Sequence, residues 1–372
     1  MSALDKTSKA KRFGTFLAAG SALVLGLTAC DGGVTGATSS DQIELEVATF
    51  APPGSIPENV TNRFFDMVEE RSDGQLTFNV TAPESVCPAN EIATCVQDGR
   101  ADVGISIPDY NAQLFPTIGL VSVPFLIDDA QALMGALHEV NTTHEGAAHL
   151  WEQNGIHPLA HFSPGRLILG TEEPIDSIDG INGQRWRVSG EYLQESIEAV
   201  GGSNVALTAP ETYESIQRGV ADAVGFPMDG ATQFHLMELL PHWSDPGSGH
   251  YTTIGFWMNA DTYNGLPDDL RAVVDEVTEE LNSGVGTEAF AEVAAQQCEA
   301  LTETAESITR WPESGSQEWD EAIGDDLIND WVQSAESLGL EDAEGYRDAY
   351  LTALETHRGD TEDPMDTCLD KQ

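Results

Sequence analysis

Positive charge is what this sequence has least of. Sixteen Lys and Arg face 63 Asp and Glu, a formal net charge of −47 over 372 residues, and beyond Arg12 the one lysine is Lys371. A field of that sign repels nucleic acid and anionic membrane surfaces, so neither is an expected partner. Cys-x-x-Cys spacing is absent, which argues against zinc. No Gly-x-Ser-x-Gly elbow, phosphate loop or dinucleotide fingerprint occurs. The nine His form no ligand set: His144-Glu145 and His149 have the wrong spacing for His-Glu-x-x-His, and Pro158 splits His157 from His161. Acidic pairs such as Asp325-Asp326 and Glu362-Asp363 read as solvated faces, and no ordered acidic loop argues for calcium. The expectation is a protein that is not an enzyme, with no cofactor and no metal. Disorder is excluded as well, because 40% hydrophobic residues in regular periodicity can build a core.

What is present begins with an address. Lys6, Lys9, Lys11 and Arg12 precede an apolar run from Phe13 to Leu27, too short and too rich in small residues for a convincing membrane span. It ends in Leu27-Thr28-Ala29-Cys30, which resembles the lipobox of bacterial lipoprotein signals. Residues 1–30 are therefore expected to be a lipoprotein signal segment with Cys30 lipidated; an ordinary cleaved signal with an incidental Cys is the alternative. Residues 31–41, mostly Gly, Ser and Thr, suit a flexible tether. The expected location is outside the cytoplasm, anchored by lipid alone to the outer face of the cytoplasmic membrane or held in the periplasm. Four Cys remain, an even number that in an exported chain suggests two disulfides. Cys87 and Cys95 most simply bridge each other, which leaves Cys298 to pin the C-terminal segment through Cys368.

After the tether, short β-rich runs alternate with amphipathic helical stretches, the signature of an α/β architecture with largely parallel sheets. Strands are predicted at 45–50, 75–80, 101–107, 157–162, 185–188, 205–207, 223–226 and 255–259. Helices are predicted at 58–71, 90–98, 130–151, 192–200, 211–218 and 266–282, the last continuing toward residue 305. About 330 residues past the signal suggest about two domains. The expected fold is a two-lobed, periplasmic-binding-protein-like α/β structure with a hinge and a long C-terminal helical region. Lobe I takes 42–164 with part of 251–290, lobe II takes 165–250 with part of 291–350, and 351–372 form a C-terminal tail. Ligands favour the cleft between such lobes.

Scarce cations make the surviving ones informative. Of twelve Arg, Arg166, Arg185 and Arg187 fall in one short window. A planar guanidinium grips a carboxylate with two parallel hydrogen bonds; alternatively these Arg neutralise neighbours such as Glu172, Glu173 and Asp176. Gly183-Gln184-Arg185-Trp186-Arg187-Val188 resembles the Gly-x-Lys-x-Arg-Val segment of the solute-binding proteins of tripartite ATP-independent periplasmic (TRAP) transporters. Pro210-Glu211-x-Tyr213-x-x-x-Gln217-x-Gly219-Val220-x-Asp222 is similar to that family's Ser-Glu-x-Tyr-x-Ala-Leu-Gln-x-Gly-x-x-Asp-Gly. Gly99-x-Ala101-Asp102, Val123-Pro124-Phe125-Leu126 and Asn259-x-x-x-Tyr263-x-x-Leu266-Pro267 match further segments, in order from about residue 45 to 280.

The resemblance implies an extracytoplasmic receptor that captures a small organic anion, closes on its hinge and is read by ion-gradient-driven TRAP permease subunits. Arg187 matches the arginine that grips the ligand carboxylate, Arg166 a second arginine flanking it, and Asn259 an asparagine bonding the same carboxylate. Arg185 is expected to be structural. Glu211 belongs to the second motif, and Phe50 and the turn 106–110 fall at the cleft lip. The family's Asp-Gly becomes Asp222-Ala223, and its acidic residue shortly after becomes Gly225-Phe226. Phe226 and Trp257 are expected to line the site, Trp186 to pack in the core. That favours a monocarboxylate with an apolar body, although a contact from Arg166 would restore a dicarboxylate site. A binding protein of an ATP-driven importer, or a secreted sensory module, is the alternative.

Overall fold

A computed structural model describes residues 42–359 and 363–369; the signal segment, the tether, Cys30 and Lys371 lie outside the described residues. Among the described residues eleven strands form two sheets within one compact unit. In the first, β1 (Ile43–Thr49) lies between β2 (Leu76–Val80) and β3 (Val103–Ser106), all parallel. Next comes β10 (Ile254–Asn259), which runs antiparallel to β3 and to β4 (Ile156–Phe162) on its far side. The second sheet has the order β11-β9-β5-β8-β6-β7. Its members are β5 (Ile168–Thr171), β6 (Arg185–Arg187), β7 (Ser203–Asn204), β8 (Ala223–Phe226), β9 (His242–Asp245) and β11 (Ser307–Arg310). There β6 is parallel to β7 and β8, whereas β5 is antiparallel to β8 and β9.

Local sequence explains the elements that face the core. Helix Ile56–Arg71 starts where the Ser55 hydroxyl accepts the Glu58 N–H, with Pro57 in its first turn. Its Val60, Phe64, Phe65 and Val68 repeat at helical spacing and are all buried. The expected helix over 130–151 is two helices, Ala130–Thr143 and Glu145–Gln153, because His144 takes an extended conformation and its ring caps the second. The short strand expected at 205–207 lies instead at Ser203–Asn204.

The chain crosses between lobes after β4, after β9, after helix Gly286–Thr304 and again before helix Ala343–Thr356. The first two crossings bond to each other, Leu167 N–H to Gly249 O and the Ser163 hydroxyl to His250 Nδ1. The third follows the long helical region Asp268–Thr304, kinked at Gly284. Helix Gly286–Thr304 packs on Ile56–Arg71 of lobe I and on Met228–Gln233 of lobe II, so it braces both. Helices Glu313–Ile323 and Asp326–Ser337 pack on Glu191–Ala199 in lobe II, and Ala343–Thr356 returns to Ala130–Thr143 in lobe I. Residue 351 falls inside that last helix, so no separate tail begins there. Disulfides join Cys87 to Cys95 and Cys298 to Cys368, the latter holding terminal helix Pro364–Leu369 against Gly286–Thr304. Among the described residues no helix is long and apolar enough to cross a membrane.

Candidate functional site between the lobes

Strand direction builds the site. The C-terminal ends of β1 and β3 in one lobe, and of β6 and β8 in the other, point at the same gap, where open α/β sheets hold ligands. Phe50 follows β1, Ile107 follows β3, Arg187 and Ser189 close β6, and Phe226 with Pro227 closes β8. Tyr251, Thr252 and Ile254 enter from the crossing into β10. Together with Phe234 and Pro52, Pro57 and Pro164 they line a pocket in that gap. Its wall is apolar except for a few groups, of which two carry charge, Arg187 and Asp229.

Arg187 is 1% exposed. Its Nε donates to Leu207 O at 3.2 Å, its Nη2 donates to the Tyr110 hydroxyl at 3.3 Å, and its guanidinium carbon stands 4.2 Å from the Phe226 ring centroid. Among the described residues no carboxylate lies within 4.0 Å of the guanidinium, and no protein acceptor bonds Nη1. A buried charge without an opposite partner is costly, so this arrangement suits a guanidinium that takes its counter-ion from a ligand. The aromatic face under it adds cation–π attraction and fixes the fork.

Asp109 and Tyr110, in the turn after β3, reach across to the opposite lobe. The Asp109 carboxylate accepts from the Ser189 hydroxyl at 3.0 Å and from the Thr252 hydroxyl at 2.7 Å. Burial raises its pKa, while those hydroxyls and the nearby Arg187 charge pull it back down. The Tyr110 hydroxyl accepts the Ala209 N–H at 2.7 Å as well as Arg187, and burial raises its pKa too. Glu211 lines the wider mouth, where its carboxylate accepts both the hydroxyl and the N–H of Thr208, and these bonds lower its pKa. Among the described residues no group of three or more His, Cys, Asp or Glu could hold a metal ion.

Residues 47–330 match the family described as "Bacterial extracellular solute-binding protein, family 7". The chain belongs to that family. Solute-binding proteins serve transport, so the family is not one of enzymes. A solute-binding protein of Sulfitobacter sp. (strain NAS-14.1) is 30% identical over 224 residues, 59% of this chain and 66% of its own length. The ectoine-binding periplasmic protein of Halomonas elongata is 22% identical over 61% of this chain and 66% of its own. The matched segments thus span just under two thirds of these relatives. Among solved structures, a TRAP solute-binding protein from Rhodoferax ferrireducens T118, in complex with copurified benzoate, superposes with a TM-score of 0.76 at 22% identity. The match covers 85% of this chain and 98% of that one. A marine-metagenome TRAP protein in complex with 3-hydroxybenzoate gives 0.76 at 21% identity, over 85% and 99%.

In this family 7 protein the expected site residues separate into two groups. Arg187, Phe226 and Phe50 share the cavity wall, with Glu211 at its mouth. Arg166, Asn259 and Trp257 are not in the wall. Arg166 is a correction: its fork is occupied by Asp245 and Asp366, each at 3.0 Å, where it ties the hinge to the end of β9 and to the terminal helix. Asn259 is a second, because β10 runs antiparallel and only its starting end meets the cleft. At the far end, Asn259 Oδ1 accepts the Thr262 N–H and its Nδ2 donates to Val96 O. Trp257 follows for the same reason, stacked on Phe115 at 4.6 Å with its Nε1 donating to His161 Nε2. Arg185 pairs with Asp222, and Trp186 is buried with its indole N–H on Ile181 O. Sequence reasoning missed Asp109, Ser189, Asp229, Tyr251 and Thr252. The first lay within the turn already placed at the lip; the others carried no signal beyond following a strand end.

Proposed function

We propose that this chain is the extracytoplasmic solute receptor of a TRAP transporter, and that it captures a small monocarboxylate with an apolar body through an Arg187–carboxylate salt bridge. The observation that carries this reading is the buried Arg187 guanidinium, unpaired with any carboxylate and laid on Phe226 in an apolar interlobe cavity. A dicarboxylate would need a second cation, and among the described residues none lines the cavity wall or its mouth, where Asp109, Glu191, Glu211 and Asp229 instead oppose a second negative charge. Related proteins give support from both sides. Solved structures with the same fold hold benzoate, 3-hydroxybenzoate and mandelate, whereas a relative from Rhodobacter capsulatus is a C4-dicarboxylate-binding protein. Closure about the crossings would bury the bound acid and present one shape to the permease. Lipid attachment at Cys30 would keep the receptor at the membrane surface. A thermal-shift screen tests the ligand class, since a ligand that binds only the folded state raises the melting temperature. Benzoate, mandelate and branched-chain acids should raise it; succinate doing so more strongly than all of them would refute the reading.

A further inference from the structure

Asp229 is the second charged group in the cavity wall, and the binding scheme above leaves it without a task. It stands in the first turn of helix Met228–Gln233 and is 5% exposed. Its Oδ1 accepts the Ile56 N–H at 3.1 Å, across the cleft from lobe I. Among the described residues no donor bonds Oδ2 and no cation lies within 4.0 Å of the carboxylate. Phe226, Phe234 and Pro57 line the wall with it. Burial pushes its pKa up to about 7, with the Ile56 N–H alone acting against the rise.

The second oxygen of this mostly buried carboxylate has no protein partner among the described residues, and a ligand donor that reaches it makes a charge-assisted hydrogen bond. Resting on the Arg187 reading, we propose that Asp229 is a second polar contact of the ligand site and selects acids whose apolar body bears a hydroxyl. Above its raised pKa the ionised carboxylate accepts the hydroxyl proton in a charge-assisted hydrogen bond, stronger than any bond a neutral amide offers the same hydroxyl.

The test is calorimetry on the purified chain with matched pairs: benzoate against the hydroxybenzoates, and phenylpropionate against its ring-hydroxylated forms. In at least one pair the hydroxylated acid should bind about tenfold or more tightly, the scale of one hydrogen bond to a charged group. Asp229→Asn keeps an acceptor for Ile56 and turns a donor toward the cavity. The hydroxyl preference should then fall to about threefold or less. A wild-type protein that never prefers the hydroxylated acid, or an Asn variant that keeps the preference, overturns the proposal. The wild-type comparison decides this even if the variant does not fold. Parent acids that bind in an Arg187-dependent way without hydroxyl discrimination would leave the carboxylate anchor standing and remove only Asp229. No binding by any of these acids would bring down both.

Discussion

Three restraints hold Arg187 from different directions. The Leu207 carbonyl holds Nε, the Tyr110 hydroxyl holds Nη2, and Phe226 supports the plane, so the remaining N–H groups are aimed before a ligand arrives. Such preorganisation lowers the ordering cost of binding. Arg187→Ala should weaken binding of a monocarboxylate by about 2–5 kcal/mol, the cost of truncating one member of a buried charge pair. That is about tenfold to several-thousandfold in Kd. Arg187→Lys should also bind poorly, since an ammonium cannot present two parallel bonds. Calorimetry that returns near-normal affinity for the alanine variant would end the assignment. His161 supplies a second residue-scale expectation. It accepts the Trp257 indole N–H as a neutral ring, and burial lowers its pKa to about 3. A base whose folded pKa is depressed leaves the native state short of a proton, so its stabilisation is intact above about pH 6.5 and is lost as pH falls toward about 3. Asp229, raised to about 7, acts with the opposite sign between about pH 4 and 7. In chemical denaturation, the stability gap between wild type and His161→Gln should narrow steadily as the pH is lowered from about 6.5. Parallel curves would show that His161 is not part of the acid response.

At the level of elements, the closing of the chain onto its own long helix matters most. The Cys298–Cys368 bridge spans a sequence separation of 70 and fastens the terminal helix Pro364–Leu369 beside the helix that touches both lobes. The same terminal helix carries Asp366, which pairs with Arg166 and Arg310, so the bridge also steadies the ion-pair cluster at the hinge. A loop of that length is worth about 4 kcal/mol in the chain-entropy account. Replacing both cysteines by Ala should lower the denaturation midpoint accordingly, and reductant should lower it more in wild type than in the variant, which keeps only the Cys87–Cys95 bridge. Wild type and variant melting together under oxidising conditions would show that the bridge contributes nothing. The crossing strands are tuned differently. Gly249 has a φ of +81°, and a Cβ there would strike the Ile127 carbonyl, so the hinge needs glycine for both conformation and space.

For the whole molecule, the governing quantity is the net charge of −47. Ion pairs such as Arg71 with Glu276 and Glu280, or Arg63 with Glu292, are local and partly exposed, and each contributes little. The remaining acids repel one another and work against compactness. Screening shortens from about 10 Å at 0.1 M salt to about 3 Å at 1 M, so added NaCl should raise the melting temperature over that range. A flat or falling melting temperature would mean that the carboxylates are already neutralised or spaced beyond mutual reach. Affinity for the acid should respond much less, because the Arg187 contact is buried and screened weakly by solvent ions.

Periodicity and composition alone determined much of this protein. Alternation in Ile43–Thr49 and the helical spacing of Val60, Phe64 and Phe65 are local consequences of burying one face, and they placed lobe I's first elements correctly. The two disulfides followed from an even count and one short spacing. Arg187 stood out because cations are so few and because its surrounding residues resemble a known receptor segment; Phe226 stood out where that segment's acidic residue is replaced, and Phe50 through its position at a strand end. What only the tertiary structure decided is which end of each strand meets the cleft and who partners whom across it. β10 lies antiparallel between β3 and β4, a pairing of segments about 100 to 150 residues apart, and that direction sends Asn259 and Trp257 away from the site. Arg166 is claimed by Asp245 and Asp366, 79 and 200 residues distant, and Asp229 meets Ile56 across 173. Local pattern reports whether a side chain is buried, and only the packing of distant segments sets what it is buried against.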